Sequence, residues 1–537
     1  MTAEVAARRF QLTRGTGLGL NHDRSINRPL ASTPMTRTLL TAAGLLALAA
    51  APALAAKKDD TVRFAYDQVI ENVDPYFNNV RLGVIIGQSV WDTLIYRDPA
   101  TNEYKGQLAT AWKWIDAKTL ELELRQGVKF HNGEEFDADD VVYTLNYVSD
   151  PANKATGQQN VSWIGKAEKI DKFKVRIITK RPFPAAIEYL TGPIAIHPNE
   201  YYAKVGPKGM NEKPVGSGPY KIVEHVIGKT VKLERNKDYW KGSPKTAGTI
   251  ERIEIRMIPD RQTQVAEMLA GGLDLIMSVP VEQAQQLKAA PHLAVTSGGT
   301  MRIVFILFNV GDNAPNPALK DVRVRRAFAH AIDKEAMAKQ LVGEGSQVIH
   351  SVCFPTQFGC TSDGVPRYAY DPAKARALLA EAGFKDGIDL EFTGYRERPQ
   401  TEAMVNYMRA AGIKANLKFM QYAAMREQHR AHKTPATHQT WGSFNLNDAS
   451  ASISPFFKGI DDDMTKDKEV IALVEEADTS VDPAKRKAAY QKALALIAER
   501  AYAVPLYALN TWWIMNKELD FKPFADELPR FWEMKWK

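Results

Sequence analysis

The chain has 537 residues, 45% hydrophobic and 25% charged, which excludes a disordered chain and is too much sequence for one ordinary core. The formal charge is +7, but residues 1–55 carry six arginines (Arg8, Arg9, Arg14, Arg24, Arg28, Arg37) against Glu4 and Asp23, a net of +4. The rest of the chain therefore holds only about +3, no ground for a nucleic-acid partner or a membrane surface.

Met35-Thr36-Arg37 is a short positive segment, Leu39 to Ala51 an apolar run too short to cross a bilayer comfortably, and Ala53-Leu54-Ala55 a small-x-small triplet. Together they read as an export signal cleaved near Ala55, with a buried N-terminal helix as the rival reading. Either Met35 is the true start or residues 1–34 are disordered. The Gly15-Thr16-Gly17-Leu18-Gly19 run lies there and follows no strand, so a nucleotide-loop reading fails on context. No cysteine stands at the cleavage point to carry a lipid anchor, and no later stretch reaches membrane length. The mature protein is expected to be soluble, exported and periplasmic.

Val62 to Tyr66 is the first expected strand. Leu120, Leu122 and Leu124 then alternate with Glu121, Glu123 and Arg125, the period of a half-buried strand. Gly127 and Asn132-Gly133 supply turns, and Asp137 caps a helix carrying Asp139 and Asp140 in its first turn and Val141, Leu145 and Val148 on one face. Lys174 to Ile178, Val231 to Leu233 and Thr249 to Met257 are further strands. Gln262 to Ala270 is helical, and Leu273 to Ile276 returns to strand. Residues 302–309, RIVFILFN, form a nearly continuous apolar run, as expected of a strand buried on both faces. Helices follow: Asp321 opens one with Val324, Phe328 and Ile332 on a stripe. Asp371-Pro372 and Asp482-Pro483 pair a cap with proline at the first helical position. Ala503 to Met515 reads as a late apolar strand pair. The apolar strands near 305 and near 505 are candidate crossings between two lobes.

Only Cys353 and Cys360 exist, in CFPTQFGC. A local disulfide fits an oxidising compartment, whereas the rival metal pair has no histidine nearby.

The stretch LELELRQGVKFHNGEEFDADDVVYTLNY, Leu120 to Tyr147, closely resembles the hallmark segment of the family 5 solute-binding proteins of ABC importers, the dipeptide, oligopeptide and nickel binders. Pro214 to Tyr220 (PVGSGPY), Arg235 to Trp240 (RNKDYW), Asp321 to Asp333, and Tyr370 to Phe384 resemble further family elements, in family order. The resemblance implies an α/β, two-lobed periplasmic binding protein type II fold with an extra inserted subdomain, its lobes joined by two crossing strands. The expected division is 1–55 extension and signal, 56–98 first part of lobe I, 99–212 inserted subdomain, 213–308 second part of lobe I, 309–502 lobe II and 503–537 return to lobe I. It also implies a monomer that captures a small polar solute, foremost a peptide, and presents it to ABC permease membrane subunits, with no cofactor.

Ligand closure of two lobes requires contacts to both. The cleft candidates are therefore residues at strand ends and near the crossings: Ile70 and Glu71 after the first strand, Asn309 ending a crossing, Tyr395, Arg396 and Arg398 after the strand Asp389 to Thr393, and Trp441, Gly442, Ser443, Phe444 and Asn445 in the segment that resembles the family's Trp-containing cleft wall. Arg396 is suited to a carboxylate fork. In peptide-binding members an Asp three residues after this Trp holds the peptide amine. Phe444 stands at that position here. Either Asp448 takes the role or the ligand presents no amine there, which leaves opines, sugars and metal chelates open beside peptides. Tyr239-Trp240 is expected to fill core, Arg323, Arg325 and Arg326 to face solvent or bridge lobes, Asp461 to Asp463 to form a solvated loop, and His429 and His432 to sit on an exposed helix face. No HExxH, G-x-S-x-G or Cys/His nucleophile pair argues for an enzyme; a chaperone or sensor reusing the fold remains a rival.

Overall fold

A computed structural model describes residues 57–78, 80–442 and 446–537. The export-signal reading, Ser443, Phe444 and Asn445 lie outside the described residues.

An eleven-stranded sheet runs through both lobes. Its order begins in lobe II with Ile413–Phe419, Ile388–Gly394 and Ala436–Trp441, passes through Leu293–Phe308 and Ala503–Asn516, and ends in lobe I with Leu275–Met277, Thr61–Tyr66, Arg252–Met257, Thr230–Arg235 and Tyr220–Val226; the eleventh, Gln347–Val348, pairs with Ala503–Asn516 off this path. The two middle strands are the crossings. They pair antiparallel from Leu293↔Asn516 to Leu307↔Ala503. The apolar run at 302–309 is thus the second half of a 16-residue strand, and the stretch from 503 is one 14-residue strand rather than a strand pair. Pro505 and Asn510 do not break it, because the first crossing supplies a partner on both sides of the interruption, from Leu293 to Gly299 and from Ile303 to Leu307.

Side-chain alternation explains the unbroken hydrophobicity. Ile303, Phe305 and Leu307 enter one lobe II core with Tyr490 and Leu494, while Val304, Ile306 and Phe308 enter another with Phe328 and Phe392. A fully buried side chain of this size stabilises by about 1.5–3 kcal/mol. A separate antiparallel sheet, Ala109–Trp114, Thr119–Leu124, Lys174–Thr179 and Ile164–Asp171, carries its own core with the helix Ala138–Ser149.

That helix is locally specified: Asp137 accepts from the Asp139 amide at 2.8 Å, and Asp140 accepts from the Asp137 amide at 2.8 Å, a reciprocal cap. Upstream of it, the His131 ring binds the Pro214 to Tyr220 turn, accepting from the Gly216 amide at 3.2 Å and meeting the Gly218 carbonyl at 3.0 Å. Burial pushes His131 down to about 4. The turn packs on the C-terminal end of the helix Arg81–Val90, where the Gly218 amide donates to the Val90 carbonyl at 2.8 Å. A Cβ on Gly218 would lie 2.7 Å from the Ser89 carbonyl, so glycine is required for the approach. The hallmark segment therefore steadies a turn that steadies this helix.

Several expectations are corrected by packing. Arg325 is buried and donates to the carbonyls of Leu319, Lys320, Arg500 and Ala501, closing the end of the helix Pro483–Glu499 within lobe II. Arg326 donates to the Glu499 carbonyl at 2.7 Å, and Arg323 pairs with Asp321. His429 is buried against Thr434 and the Asp462 carbonyl. Asp462 pairs with Arg426 and Arg430, and Asp463 is buried as a turn acceptor, so these two are structural, while Asp461 is exposed as expected. Tyr239 and Trp240 do more than fill space: both donate to the buried carboxylate of Asp92. Cys353 and Cys360 are bonded, with an S–S distance of 2.01 Å. Among the described residues no helix is long and apolar enough to cross a membrane.

Candidate ligand-binding site

Two cavities open where lobe I, the inserted sheet and lobe II meet, and Arg81 at the start of its helix belongs to both. The first, about 290 Å³, is walled by that helix, by Trp91, Tyr96, Arg97 and Glu188, by Lys245, Asp526, Leu528 and Trp532, and by Leu446 from lobe II. The second, about 340 Å³, is lined by Arg81, Arg302, Tyr395, Arg396, Tyr422, Thr440, Trp441 and Gly442.

In the first cavity each cation meets an anion. Arg97 pairs with Glu188 at 3.0 Å, Lys245 with Asp92 at 3.0 Å, Arg81 with Glu527 at 3.0 Å, and Asp526 with Arg530 at 2.5 Å. Burial lowers the Lys245 ammonium below its usual range, against the pull of Asp92, and raises the Tyr96 phenol to about 12. Glu188 also reaches across the cleft, accepting from the Asn447 amide of lobe II at 2.8 Å and from the Tyr104 hydroxyl at 2.9 Å. The lobes are joined here through a buried charge-assisted bond.

The second cavity is built by strand ends. Tyr395 follows the strand Ile388–Gly394; its hydroxyl donates to the Thr440 carbonyl at 2.6 Å and accepts from the Thr440 amide at 3.1 Å. This fixes the end of Ala436–Trp441, whose Trp441 ring packs edge-on against Phe456 at 5.2 Å and donates to the Ala451 carbonyl at 2.7 Å. Arg302 leaves the first crossing strand where pairing with the second is interrupted between Gly299 and Ile303. Such an irregularity re-aims side chains. Its guanidinium rests on Gly442, where a Cβ would lie 2.8 Å from Nη2.

Of the residues singled out in the sequence, Tyr395, Arg396, Trp441 and Gly442 come together in this cavity. Of the other described ones, Ile70, Glu71, Asn309, Arg398 and Asp448 line neither cavity. Ile70 is buried in the lobe I core, and Glu71 is exposed with its carbonyl on Asn211. Asn309 is buried at the end of its strand, and Arg398 is exposed and paired with Glu402. Asp448 is buried against Arg486 at 2.9 Å and accepts from the Ser450 amide, because it opens a helix beneath the wall. Its carboxylate is thus engaged by Arg486 and Ser450. Arg81, Arg302 and Tyr422 went unmarked by sequence reading; an arginine inside the apolar run at 302 was the one available signal. Among the described residues no cluster of three or more metal-ligating side chains occurs.

The model for bacterial extracellular solute-binding proteins, family 5 Middle, matches residues 103–463. Heme-binding protein A of Haemophilus influenzae is 26% identical over 455 residues, covering 78% of this chain and 81% of that protein. Glutathione-binding protein GsiB of Salmonella typhi is 30% identical over 395 residues, covering 72% and 74%. Among solved structures, HbpA2 from Haemophilus parasuis superposes with a TM-score of 0.77 at 24% identity, covering 89% of this chain and all of that one. The dipeptide binding protein from Pseudoalteromonas sp. SM9913, in complex with Met-Leu, gives 0.70 at 22%, again covering 89% and 100%. At these identities the structures speak to the fold alone.

Proposed function

Since this chain belongs to the bacterial extracellular solute-binding proteins of family 5, we propose that it is the extracytoplasmic receptor of an ABC importer, closing its lobes on a peptide or similar small polar solute and presenting it to the membrane permease subunits. The observation that carries this reading is the pair of cavities that share Arg81, each walled by residues from both lobes, with Leu446 the lobe II residue in the first. A solute held there touches both lobes, the condition for ligand-driven closure. The aromatic walls, Trp441, Tyr395 and Tyr422 in one cavity and Trp91, Tyr96 and Trp532 in the other, cover apolar stems, while exposed backbone near Gly442 offers hydrogen bonds.

The export signal read in the sequence supports a periplasmic receptor, a compartment in which the bonded Cys353 and Cys360 are stable. The relatives' names, peptide-, glutathione- and heme-binding, describe binders and not catalysts.

The test is a thermal-shift panel of peptides, glutathione, an opine, a sugar and a metal chelate, followed by mass spectrometry of the recovered ligand. Saturable stabilisation with the ligand returned intact is expected. Chemical conversion, or no stabilisation by any member, would contradict the receptor reading.

A further inference from the structure

The charges around the second cavity narrow the choice of solute. Three of its eight lining residues are arginines, and none is acidic. Ser443, Phe444 and Asn445, which follow Gly442, bring no carboxylate by sequence. Arg81 is already matched by Glu527 at 3.0 Å, and Glu527 also accepts from the Thr511 hydroxyl at 2.6 Å. Neither the Arg302 nor the Arg396 guanidinium makes a hydrogen bond or ion pair with any described residue. The cavity thus carries two guanidiniums that no described carboxylate contacts, Glu527 acting on Arg302 only from beyond hydrogen-bond reach.

This surplus stands out against its surroundings. Burial holds the pKa of half-buried Arg302 below the ordinary arginine value; Glu527 opposes this, and the neighbouring Arg396 and Arg81 add to it. A guanidinium stays charged nonetheless. Removing one cation from bulk water beside a second, exposed one is unfavourable unless an anion meets them. A hydrophobic residue at 302 would continue the apolar run that surrounds it, as Ile303 does one position later. The arginine instead sits in the longer interruption of the crossing pair, between Gly299 and Ile303, beside Gly442 and lining the cavity. Amine recognition has no matching equipment there, because Asp448 is held by Arg486.

Resting on the receptor reading above, we infer that the solute carries two negative charges on oxygen acids, as in a small peptide with a free C-terminal carboxylate and one acidic side chain, and that Arg302 and Arg396 receive them. Guanidinium forks bind carboxylate and phosphate oxygens by the same geometry, so the shared chemistry is the dianion.

Isothermal titration of the protein, dialysed free of bound solute, with Ala-Glu, Ala-Gln, Ala-Gln amide and Ala-phosphoserine tests this. Each acidic charge lost is expected to weaken binding about tenfold or more, from Ala-Glu to Ala-Gln to the amide. Tighter binding of Ala-phosphoserine than Ala-Glu supports the dianion and identifies phosphate as its source. In Arg302→Gln and in Arg396→Gln the ratio between Ala-Glu and the amide is expected to shrink at least about fivefold. Arg396 is exposed, so its variant keeps the test open if Arg302→Gln fails to fold. Equal affinity across the series, an unchanged ratio in both variants, or binding confined to uncharged solutes overturns the inference while leaving the receptor standing. Absence of binding by this series and by the wider panel overturns both.

Discussion

The two cavities share Arg81 and differ in their charge accounts. The first closes its account internally: Arg97 with Glu188, Lys245 with Asp92, Asp526 with Arg530. The second leaves Arg302 and Arg396 without an ion pair among the described residues. Charges matched inside the fold serve to hold the lobes and the inserted sheet in place. Charges left over are available to a solute. Location in the cleft alone does not separate these roles; the presence or absence of a partner does.

The largest expected effect lies on the matched side. Glu188→Ala leaves the buried Arg97, the Asn447 amide and the Tyr104 hydroxyl without their shared acceptor. A loss of about 3–5 kcal/mol in urea unfolding is expected. Unchanged stability would erase the distinction between the cavities.

Acid separates frame from site. Burial depresses His131 and His438 to about 4, whereas an unfolded histidine titrates near 6.5. Both must stay neutral in the fold, so their contribution is complete above about pH 6.5 and is lost as pH falls toward 4, up to about 3 kcal/mol for each. The guanidiniums stay charged throughout. Melting measured from pH 7 to pH 4.5 is expected to fall, while affinity for an acidic dipeptide holds until the ligand's own carboxylates protonate. Parallel loss of both from pH 6.5 would merge frame and site.

On the unmatched side the sign reverses. Arg302→Met removes an uncompensated, half-buried cation and extends an apolar run, so ligand-free stability is expected to rise by about 1 kcal/mol. A fall of that size in denaturant titration would mean that Arg302 is matched after all. The smallest effect belongs outside both cavities. Arg398→Ala breaks an exposed pair with Glu402 and is expected to cost under about 0.5 kcal/mol with no change in binding. A clear loss of affinity would extend the site beyond its described wall.

Much of the frame was legible because it is locally encoded. Asp137, Asp321, Asp371 and Asp482 each cap a helix as their spacing predicts, and the last two carry proline at the next position. The run at 302–309 announced a strand buried on both faces, but its lobe I half, with Gly298 and Gly299, has no comparable apolar pattern and went unread. Four cavity residues, Tyr395, Arg396, Trp441 and Gly442, were legible because they sit at strand ends. Arg81 was not, since a helix start hundreds of residues away in sequence gives no sign of facing Trp441. Arg302 was hidden by a pairing irregularity that no local pattern encodes. Asp448 and Arg398 were chosen for chemistry suited to a ligand, yet their partners Arg486 and Glu402 come from elsewhere in the chain or across one helical turn.

A crystal structure of the protein with a bound acidic dipeptide tests the central claim most directly. The solute is expected in the interlobe cleft against Trp441, with an acid oxygen about 2.7–2.9 Å from a guanidinium nitrogen of Arg302 or Arg396. A solute bound outside the cleft, or one that turns an uncharged group toward both arginines, would contradict it.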